Sequence, residues 1–137
     1  MKPSNVLLTP EGHVRLLDFD VATVEGVEMA GAVSDMGTVA YMSPERTHGR
    51  EADARTDLWS LGVILYEALA GSRPFAGPTT RDLIRSIREG TPPDLAIFRP
   101  AVPPTFERLI VELLEKDPAE RPATALDVSG RLAEMAV

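Results

Sequence analysis

The spacing of apolar residues along the chain predicts four helices after residue 55. The first covers residues 56–71 and is apolar on almost every side, with Thr56 as its predicted N-cap and Gly71 as its C-cap. A helix that is apolar all round must be covered on all sides by other elements. We therefore expect this helix to pass through the middle of the fold.

The other three predicted helices are amphipathic. The second covers residues 79–89 and begins at Thr79, with Asp82 at the spacing of a capping box. The third runs from residue 105 to about residue 116, where Asp117-Pro118 should stop it. The fourth begins at Thr124, which has Asp127 three residues later. Residues 92–104 hold five of the twelve prolines, which predicts an irregular connector because proline donates no backbone hydrogen bond.

The first half of the chain predicts a hairpin followed by a long loop. Residues 6–8 and 14–17 have the composition of short strands. Between them, Thr9-Pro10-Glu11-Gly12 favours a tight turn, because proline fixes one turn dihedral and glycine readily adopts a positive one. Residues 21–54 show neither helical nor strand periodicity. A loop of that length inside a compact domain is usually functional.

Composition narrows the class of protein. With 137 residues, of which 44% are hydrophobic and 26% charged, the chain has the size and apolar content of one globular domain. The net charge of -7 disfavours a nucleic-acid-binding role, because phosphate binding needs clustered cations. The absence of cysteine excludes disulfides, thiolate metal sites and thiol nucleophiles. The sequence contains no apolar stretch long enough for a membrane segment and no visible signal peptide, so a cytoplasmic protein is expected.

Four short motifs occur in one order and need a common explanation. They are Lys2-Pro3-Ser4-Asn5, Asp18-Phe19-Asp20, the segment from Gly37-Thr38 to Ser43-Pro44-Glu45, and the segment from Asp57 to Gly62. With Arg121-Pro122 further on, they resemble the C-terminal lobe of a eukaryotic-like (Hanks-type) bacterial serine/threonine protein kinase. The resemblance implies a mainly α fold in which residues 1–137 form a partial protein kinase domain. This would be a helical bundle with a short β-hairpin and a long activation segment, and the N-terminal lobe would be absent.

The resemblance also implies chemistry at particular residues. Asn5 and Asp18 would bind Mg²⁺, and Lys2 would lie at the phosphoryl group transferred from ATP. Thr38 would hydrogen-bond Lys2 and the catalytic aspartate, so Lys2 and Thr38 are the implied catalytic residues. Lys and Thr at these positions are similar to serine/threonine rather than tyrosine kinases, which implies Ser or Thr hydroxyls of proteins as substrates. Taken singly, each residue would more often be an ordinary turn or solvent-exposed residue.

Three further residues have structural roles by resemblance. Glu45 and Arg121 would form an ion pair that ties the activation segment to the last helices, a bidentate geometry that arginine provides better than lysine. Asp57 would accept hydrogen bonds from the backbone of the catalytic loop. Asp57 also fits the general preference for an acidic residue near a helix N-terminus, and the two roles are compatible.

The activation segment is uniformly acidic. Between Leu16 and Glu45 the sequence contains no Lys or Arg, whereas several residues are Asp or Glu. This predicts a preference for basic protein substrates through charge complementarity. Ser34, which precedes Asp35, is the first choice for a regulatory phosphosite, and Thr23 is the second.

The sequence departs from an active kinase in several respects. It contains no glycine-rich phosphate loop, no strand lysine in a Val-Ala-Ile-Lys context, no partner glutamate helix and no His-Arg-Asp triplet. Asp20 replaces the glycine of Asp-Phe-Gly and adds a second carboxylate beside Asp18. The chain alone is therefore expected to be inactive, with its N-terminal lobe lost from the sequence or encoded separately upstream. The alternatives are a degenerate pseudokinase remnant that binds proteins as a helical module, and an unrelated helical protein with accidental motifs.

Overall fold

The computed structural model describes residues 1–17 and 36–136, which form a mainly helical fold with one two-stranded antiparallel sheet. The mainly α prediction is therefore confirmed. The elements are the strands β1 (Val6–Leu8) and β2 (Val14–Leu16) and the helices α1 (Met36–Val39), α2 (Pro44–Thr47), α3 (Ala54–Ala70), α4 (Thr80–Glu89), α5 (Pro104–Leu113) and α6 (Ala125–Met135). Single 3-10 turns lie at Pro3–Asn5, Leu95–Ile97 and Pro118–Glu120. Within these ranges, no helix combines the length and apolarity that crossing a bilayer requires.

The hairpin forms as the sequence predicted, except that β2 ends one residue earlier. Val6 pairs with Leu16, and Leu8 pairs with Val14. The amide of Gly12 donates to the carbonyl of Thr9 at 2.9 Å, and Gly12 has the expected positive φ of 83°. The aliphatic side chains stay exposed, with Leu8 at 68% and Val14 at 64%. The hairpin therefore depends on its backbone hydrogen bonds and contributes little to the core.

The central helix α3 begins earlier than the sequence predicted. Asp53, and not Thr56, is its N-cap: the Asp53 carboxylate accepts from the amides of Arg55 and Thr56 at 2.9 and 3.1 Å. The Thr56 hydroxyl accepts from the Asp53 amide at 3.2 Å, which completes a capping box. The prediction was wrong because both residues are good caps and the first three helical residues carry no apolar signal. At the other end, Gly71 is confirmed as the C-cap and has a left-handed conformation.

Two hydrophobic clusters meet on α3, which confirms its predicted position in the middle of the fold. In the larger cluster, Trp59 and Tyr66 pack with Phe75 and with buried residues of α1, α4 and α5. The rings of Trp59 and Phe75 are stacked with centroids 5.4 Å apart. In the smaller cluster, Leu58 packs with Leu109 and other apolar residues of α5 and α6. The helix α5 is the principal neighbour of α3.

The starts of α4 and α6 are confirmed. The Thr79 hydroxyl accepts from the Asp82 amide at 3.1 Å and caps α4. Thr124 and Asp127 form the capping box that the spacing predicted for α6. Both signals are local, because an N-cap side chain bonds amides only two or three residues ahead.

The boundaries of α5 differ from the prediction at both ends. The helix begins at Pro104. Proline is tolerated there because the first residues of a helix do not donate a backbone hydrogen bond within it. The helix ends at Leu113, about three residues before the predicted end. Beyond this point the carbonyls of Glu115 and Lys116 accept hydrogen bonds from the Arg121 side chain. A side chain that is distant in sequence therefore satisfies these carbonyls, which periodicity cannot show.

The described part of the predicted 21–54 loop contains the short helices α1 and α2, so the expectation of no regular element was wrong there. Ser43 caps α2 by accepting from the Arg46 amide at 3.4 Å, and Pro44 occupies the first helical position. Each helix is a single turn and is too short to show a hydrophobic period. Residues 21–35 of this loop lie outside the described residues.

Gly62 is predicted to be essential where α3 contacts α5. A Cβ atom at this position would lie 2.8 Å from Leu113 Cβ and 3.1 Å from Leu114 Cδ2. Because Cβ atoms cannot move without their backbone, Gly62→Ala must push the helices apart. We expect the free energy of unfolding to fall by about 1–3 kcal/mol, measured by urea denaturation.

The matched control is Gly130→Ala in α6. A Cβ there would have no neighbour within 4 Å. Alanine should therefore raise the free energy of unfolding by up to about 1 kcal/mol through its higher helix propensity. If both substitutions stabilise the chain, close packing at Gly62 is refuted.

Candidate functional site

The first motif forms a tight turn that ends at Asn5. Pro3 occupies the first position of the 3-10 turn, and the backbone of Lys2 before it is extended. The amide of Asn5 donates to the carbonyl of Lys2 at 2.9 Å. Because β1 starts at Val6, this turn is continuous with the hairpin.

Lys2 is joined to Thr38, which lies far from it in sequence. Lys2 Nζ donates to Thr38 Oγ1 at 3.3 Å. This is the hydrogen bond that the resemblance implied between the two residues. Thr38 is exposed, but the next residues in the chain, Val39 and Ala40, are buried in the larger cluster. The contact therefore attaches the start of the chain to a segment held by the core.

Asn5 also holds the end of the hairpin. Its carbonyl accepts from the amide of Leu17 at 2.7 Å, one residue beyond β2. The residues Asp18, Asp20, Thr23 and Ser34 lie outside the described residues, and their roles stay predictions. Among the residues described, no group of three or more His, Asp or Glu side chains is arranged to hold a metal ion.

The ion pair expected between Glu45 and Arg121 is present. Arg121 Nη1 and Nη2 each donate to a different carboxylate oxygen of Glu45, both at 2.9 Å. The Arg121 side chain is fully buried, and that of Glu45 is 7% exposed. Burying two charges is costly, so the pair is stable only if its remaining donors and acceptors are also satisfied.

Backbone carbonyls and one hydroxyl meet that requirement. Arg121 Nε donates to the carbonyl of Glu115 at 2.8 Å, and its two Nη atoms also donate to the carbonyls of Arg55 and Lys116 at 3.0 and 3.2 Å. All five guanidinium N–H groups therefore have an acceptor. The Thr56 hydroxyl donates to Glu45 Oε1 at 3.0 Å. The ion pair thus connects α2, the first turn of α3 and the segment after α5.

These contacts determine the pKa of Glu45. Burial by itself raises the pKa of a carboxyl group. The hydrogen bonds from Arg121, a backbone hydrogen bond and the guanidinium charge together outweigh burial, and the pKa of Glu45 falls from 4.5 to about 2. Glu45 is therefore ionised at neutral pH.

Tyr41 makes a second polar contact between the third motif and α3. Its phenol donates to the Glu67 carboxylate, and Arg73 Nε lies 3.5 Å from the same carboxylate. Burial, followed by the hydrogen bond and charge of Glu67, raises the pKa of Tyr41. Ser60 Oγ donates to the Tyr41 carbonyl at 3.0 Å. The segment between Thr38 and Glu45 is therefore fixed to α3 through both its side chains and its backbone.

Asp57 lies in the first turn of α3 and is exposed. Its carboxylate forms no hydrogen bond or ion pair with the rest of the described chain. This position agrees with the general preference for acidic residues at helix N-termini. The hydrogen bonds from a catalytic-loop backbone stay a prediction.

Two cationic residues support this region and carry no motif signal. Arg88 Nε donates to Thr47 Oγ1 at 2.8 Å and so attaches α2 to α4. Lys116 Nζ lies 3.9 Å from the centre of the Phe75 ring and donates to the Ile87 carbonyl at 2.7 Å. In the sequence both look like ordinary charged residues near helix ends, so sequence reasoning missed them.

Known proteins match the chain along almost its whole length. Residues 1–129 match the protein kinase domain. The probable serine/threonine-protein kinase CPE1738 of Clostridium perfringens is 38% identical over 134 residues, which cover 96% of this chain and 19% of that protein. The serine/threonine-protein kinase PknA of Mycobacterium tuberculosis is 39% identical over 123 residues, which cover 88% of this chain and 28% of PknA. PknL of the same species is 33% identical over 137 residues, which cover 99% of this chain and 34% of PknL. The chain thus spans about a fifth to a third of the length of these relatives.

Arg121→Ala is expected to lower the free energy of unfolding by about 3–5 kcal/mol, because it leaves the Glu45 carboxylate buried without its partner. Urea denaturation measures the change. The matched control is Arg131→Ala, which breaks a bidentate pair with Glu112 whose side chains are each 34% exposed. Exposed pairs contribute at most about 1 kcal/mol. A loss below that value for Arg121→Ala would contradict the structural importance of the buried pair.

Lowering the pH should lower the free energy of unfolding, because Glu45 becomes protonated. Since the folded pKa of about 2 lies below the ordinary value of 4.5, the unfolded chain takes up the proton first as pH falls. The stabilisation from Glu45 is complete above about pH 5 and is lost between pH 4.5 and 2, with a total of about 3 kcal/mol. Urea denaturation at several pH values measures it. Glu45→Gln should remove this part of the pH dependence, while Glu112→Gln should retain it; identical profiles for the two variants would rule out Glu45 as its source.

Proposed function

The chain belongs to the protein kinase domain family, and we propose that it forms the C-terminal-lobe part of a serine/threonine kinase active site. In the complete enzyme, ATP would supply the γ-phosphoryl group and leave as ADP, a Ser or Thr hydroxyl of a protein would accept the group, and bound Mg²⁺ would neutralise charge on the phosphate oxygens. The observation that carries the proposal is the 3.3 Å hydrogen bond from Lys2 Nζ to Thr38 Oγ1. It brings together residues of the first and third motifs, which the family resemblance assigns to the same reaction.

The chemistry of the donor set fits magnesium and a nucleotide. Mg²⁺ prefers hard oxygen ligands, and Asn5 offers an amide oxygen while Asp18 offers a carboxylate. The 2.7 Å hydrogen bond from the Leu17 amide to the Asn5 carbonyl supports this pairing, because Leu17 directly precedes Asp18 in the sequence. The ammonium of Lys2 is complementary to phosphate oxygens. We therefore assign Mg²⁺ to Asn5 and Asp18, and the transferred phosphoryl group to Lys2.

The residues of this chain would position the phosphoryl group and stabilise the negative charge on its oxygens. Phosphoryl transfer requires little covalent chemistry from the protein and strong stabilisation of negative charge. Lys2 stabilises the charge on the phosphoryl oxygens, and Thr38 holds the ammonium by accepting its hydrogen bond. Glu45 and Arg121 have a structural role, since they fix α2 and with it the segment that carries Thr38. The acidic residues between Leu16 and Glu45 favour basic protein substrates.

A second candidate function follows from the exposed apolar side chains on both faces of the hairpin. Leu7, Leu8, Val14, Leu16 and Leu17 are each between 46% and 68% exposed. Clustered apolar residues on a surface indicate an interaction site. In this alternative the chain is a degenerate kinase remnant that binds proteins and transfers no phosphate.

A chimera tests the first candidate. We expect M. tuberculosis PknA to retain Mg²⁺-dependent transfer of radiolabelled phosphate from ATP to a basic Ser-containing peptide when this chain replaces its matching segment. In the chimera, Lys2→Ala and Asp18→Asn should each lower kcat about 10²–10³-fold, the usual effect of removing one charge-stabilising group. The control Glu11→Gln, at an exposed position in the hairpin turn, should leave kcat unchanged.

The same chimera separates the two candidates. Mg²⁺ and ATP together should raise its melting temperature if the site binds nucleotide. A chimera that unfolds cooperatively but neither transfers phosphate nor gains thermal stability would refute the kinase proposal and favour the protein-binding remnant.

A further inference from the structure

Thr38 carries a hydroxyl group at the surface, on a backbone that the core holds in place. The residue is exposed, whereas Val39 and Ala40 directly after it are buried in the larger cluster. The Tyr41 amide donates to the Thr38 carbonyl at 3.3 Å. A group added to the Thr38 hydroxyl can therefore be accommodated without displacing a buried side chain.

The turn that carries Thr38 can open locally. The helix α1 is a single turn, in which the Ala40 amide donates to the Met36 carbonyl at 3.1 Å. One helical turn is held by few hydrogen bonds, so its opening needs little free energy compared with unfolding of the core. Thr38 can therefore enter the active site of another kinase molecule while α3 and α5 stay folded.

A cation already contacts the Thr38 hydroxyl. Lys2 Nζ donates to Thr38 Oγ1 at 3.3 Å. Within residues 1–17 and 36–136, no carboxylate forms an ion pair with Lys2. A phosphate group on Oγ1 would add about two negative charges and three acceptor oxygens next to the atom that Lys2 contacts. The ammonium can therefore bond such a phosphate without movement of the backbone.

The other hydroxyls of the described chain lack this combination of exposure and a bonded cation. The hydroxyls of Thr79 and Thr124 each donate to an aspartate carboxylate, which would repel a phosphate. Thr47 Oγ1 accepts from Arg88 Nε, but Thr47 is buried. Among the described Ser and Thr residues, Thr38 alone is both exposed and hydrogen-bonded to a cationic side chain.

We propose that Thr38 is a phosphorylation site and that its phosphate group binds Lys2 and so stops phosphoryl transfer. This inference rests on the proposed function, since a second copy of the complete kinase supplies the phosphoryl group and Lys2 is assigned to the reaction. Thr38 Oγ1 attacks the γ-phosphorus of ATP, the bond to the β,γ-bridging oxygen breaks, ADP leaves, and the hydroxyl proton passes to the catalytic base of the copy that acts. The Lys2 ammonium then bonds the phosphothreonine instead of the next ATP.

The charge of the segment determines when the modification accumulates. Thr38 lies in the stretch between Leu16 and Glu45 that contains no Lys or Arg. A kinase that favours basic substrates acts slowly on such a segment. Phosphate therefore accumulates on Thr38 when basic substrate is scarce, and the modified kinase is then less active.

The first test uses the 137-residue chain with a genetically encoded phosphothreonine in place of Thr38, and phosphorus NMR follows the titration of its phosphate. A neighbouring ammonium favours the dianion, so the phosphate should titrate about 0.5 pH unit lower than in the same chain with Lys2→Gln. The matched control is phosphothreonine in place of Thr91, which is exposed and outside the site. Its titration should not depend on Lys2. If Lys2→Gln also leaves the titration at Thr38 unchanged, the ion pair is refuted.

The second test maps phosphate on the PknA chimera by mass spectrometry after incubation with ATP and Mg²⁺ in the absence of peptide. A tagged Asp18→Asn chimera, mixed with the active chimera, should become phosphorylated on Thr38. A chimera that phosphorylates the basic peptide but leaves Thr38 unmodified would overturn this inference and leave the proposed function intact. A chimera that phosphorylates no peptide would contradict the proposed function, and the inference with it.

The third test measures the effect of the modification on activity. Phosphothreonine in place of Thr38 should lower kcat of the chimera about 10²-fold, as removal of the Lys2 charge does, while phosphothreonine in place of Thr91 should change kcat less than twofold. In a Lys2→Ala chimera, phosphate on Thr38 should have little further effect. An unchanged kcat, or a loss of the same size in the Lys2→Ala chimera, would overturn inhibition through Lys2. If the modified chimera fails to fold, the phosphorus NMR comparison on the 137-residue chain still decides whether the phosphate binds Lys2.

Discussion

The fold depends above all on one buried side chain, the guanidinium group of Arg121, whose N–H groups all need hydrogen-bond acceptors. Arg121 is fully buried, and a charge in that position is tolerated only when each of its N–H groups is hydrogen-bonded. Glu45 supplies two acceptors, and backbone carbonyls near the start of α3 and after α5 supply the others. These three segments are distant in sequence and cannot shift separately without leaving a donor unpaired. The same requirement explains why α5 ends at Leu113, since the carbonyls that follow turn toward Arg121.

The ion pair and the aromatic core stabilise each other. The Arg121 guanidinium lies 5.1 Å from the centre of the Trp59 ring, and Lys116 Nζ lies 5.0 Å from it. Burial, opposed by the charge of Glu115 and reinforced by that of Arg121, lowers the pKa of Lys116 to about 8. Two cations therefore share one aromatic surface, and the carboxylate of Glu45 compensates for one of them. Movement of Trp59 would disturb the hydrophobic cluster and the polar network together.

The turn at the start of the chain and the helical core differ in how they are supported. Lys2 and Asn5 lie next to an exposed hairpin, and hydrogen bonds to Thr38 and Leu17 hold them in place. The larger hydrophobic cluster is made of buried residues, so its shape follows from core packing.

The sequence by itself determined the features that depend on neighbouring residues. The caps Thr79 and Thr124 and the turn at Gly12 require bonds across two to four residues, so local spacing was sufficient to predict them. The family motifs added two distant contacts, Lys2 with Thr38 and Glu45 with Arg121, which no local pattern contains.

Only the tertiary structure revealed the early end of α5 and the contacts of Lys116. Both depend on which residues, far apart in the chain, supply an acceptor or a ring face. The Asp53 cap of α3 is a local feature, and the prediction placed the cap at Thr56 because both residues are good caps. Capping acts within a single helical turn and periodicity along a single helix, whereas burial and charge compensation depend on every segment that packs nearby.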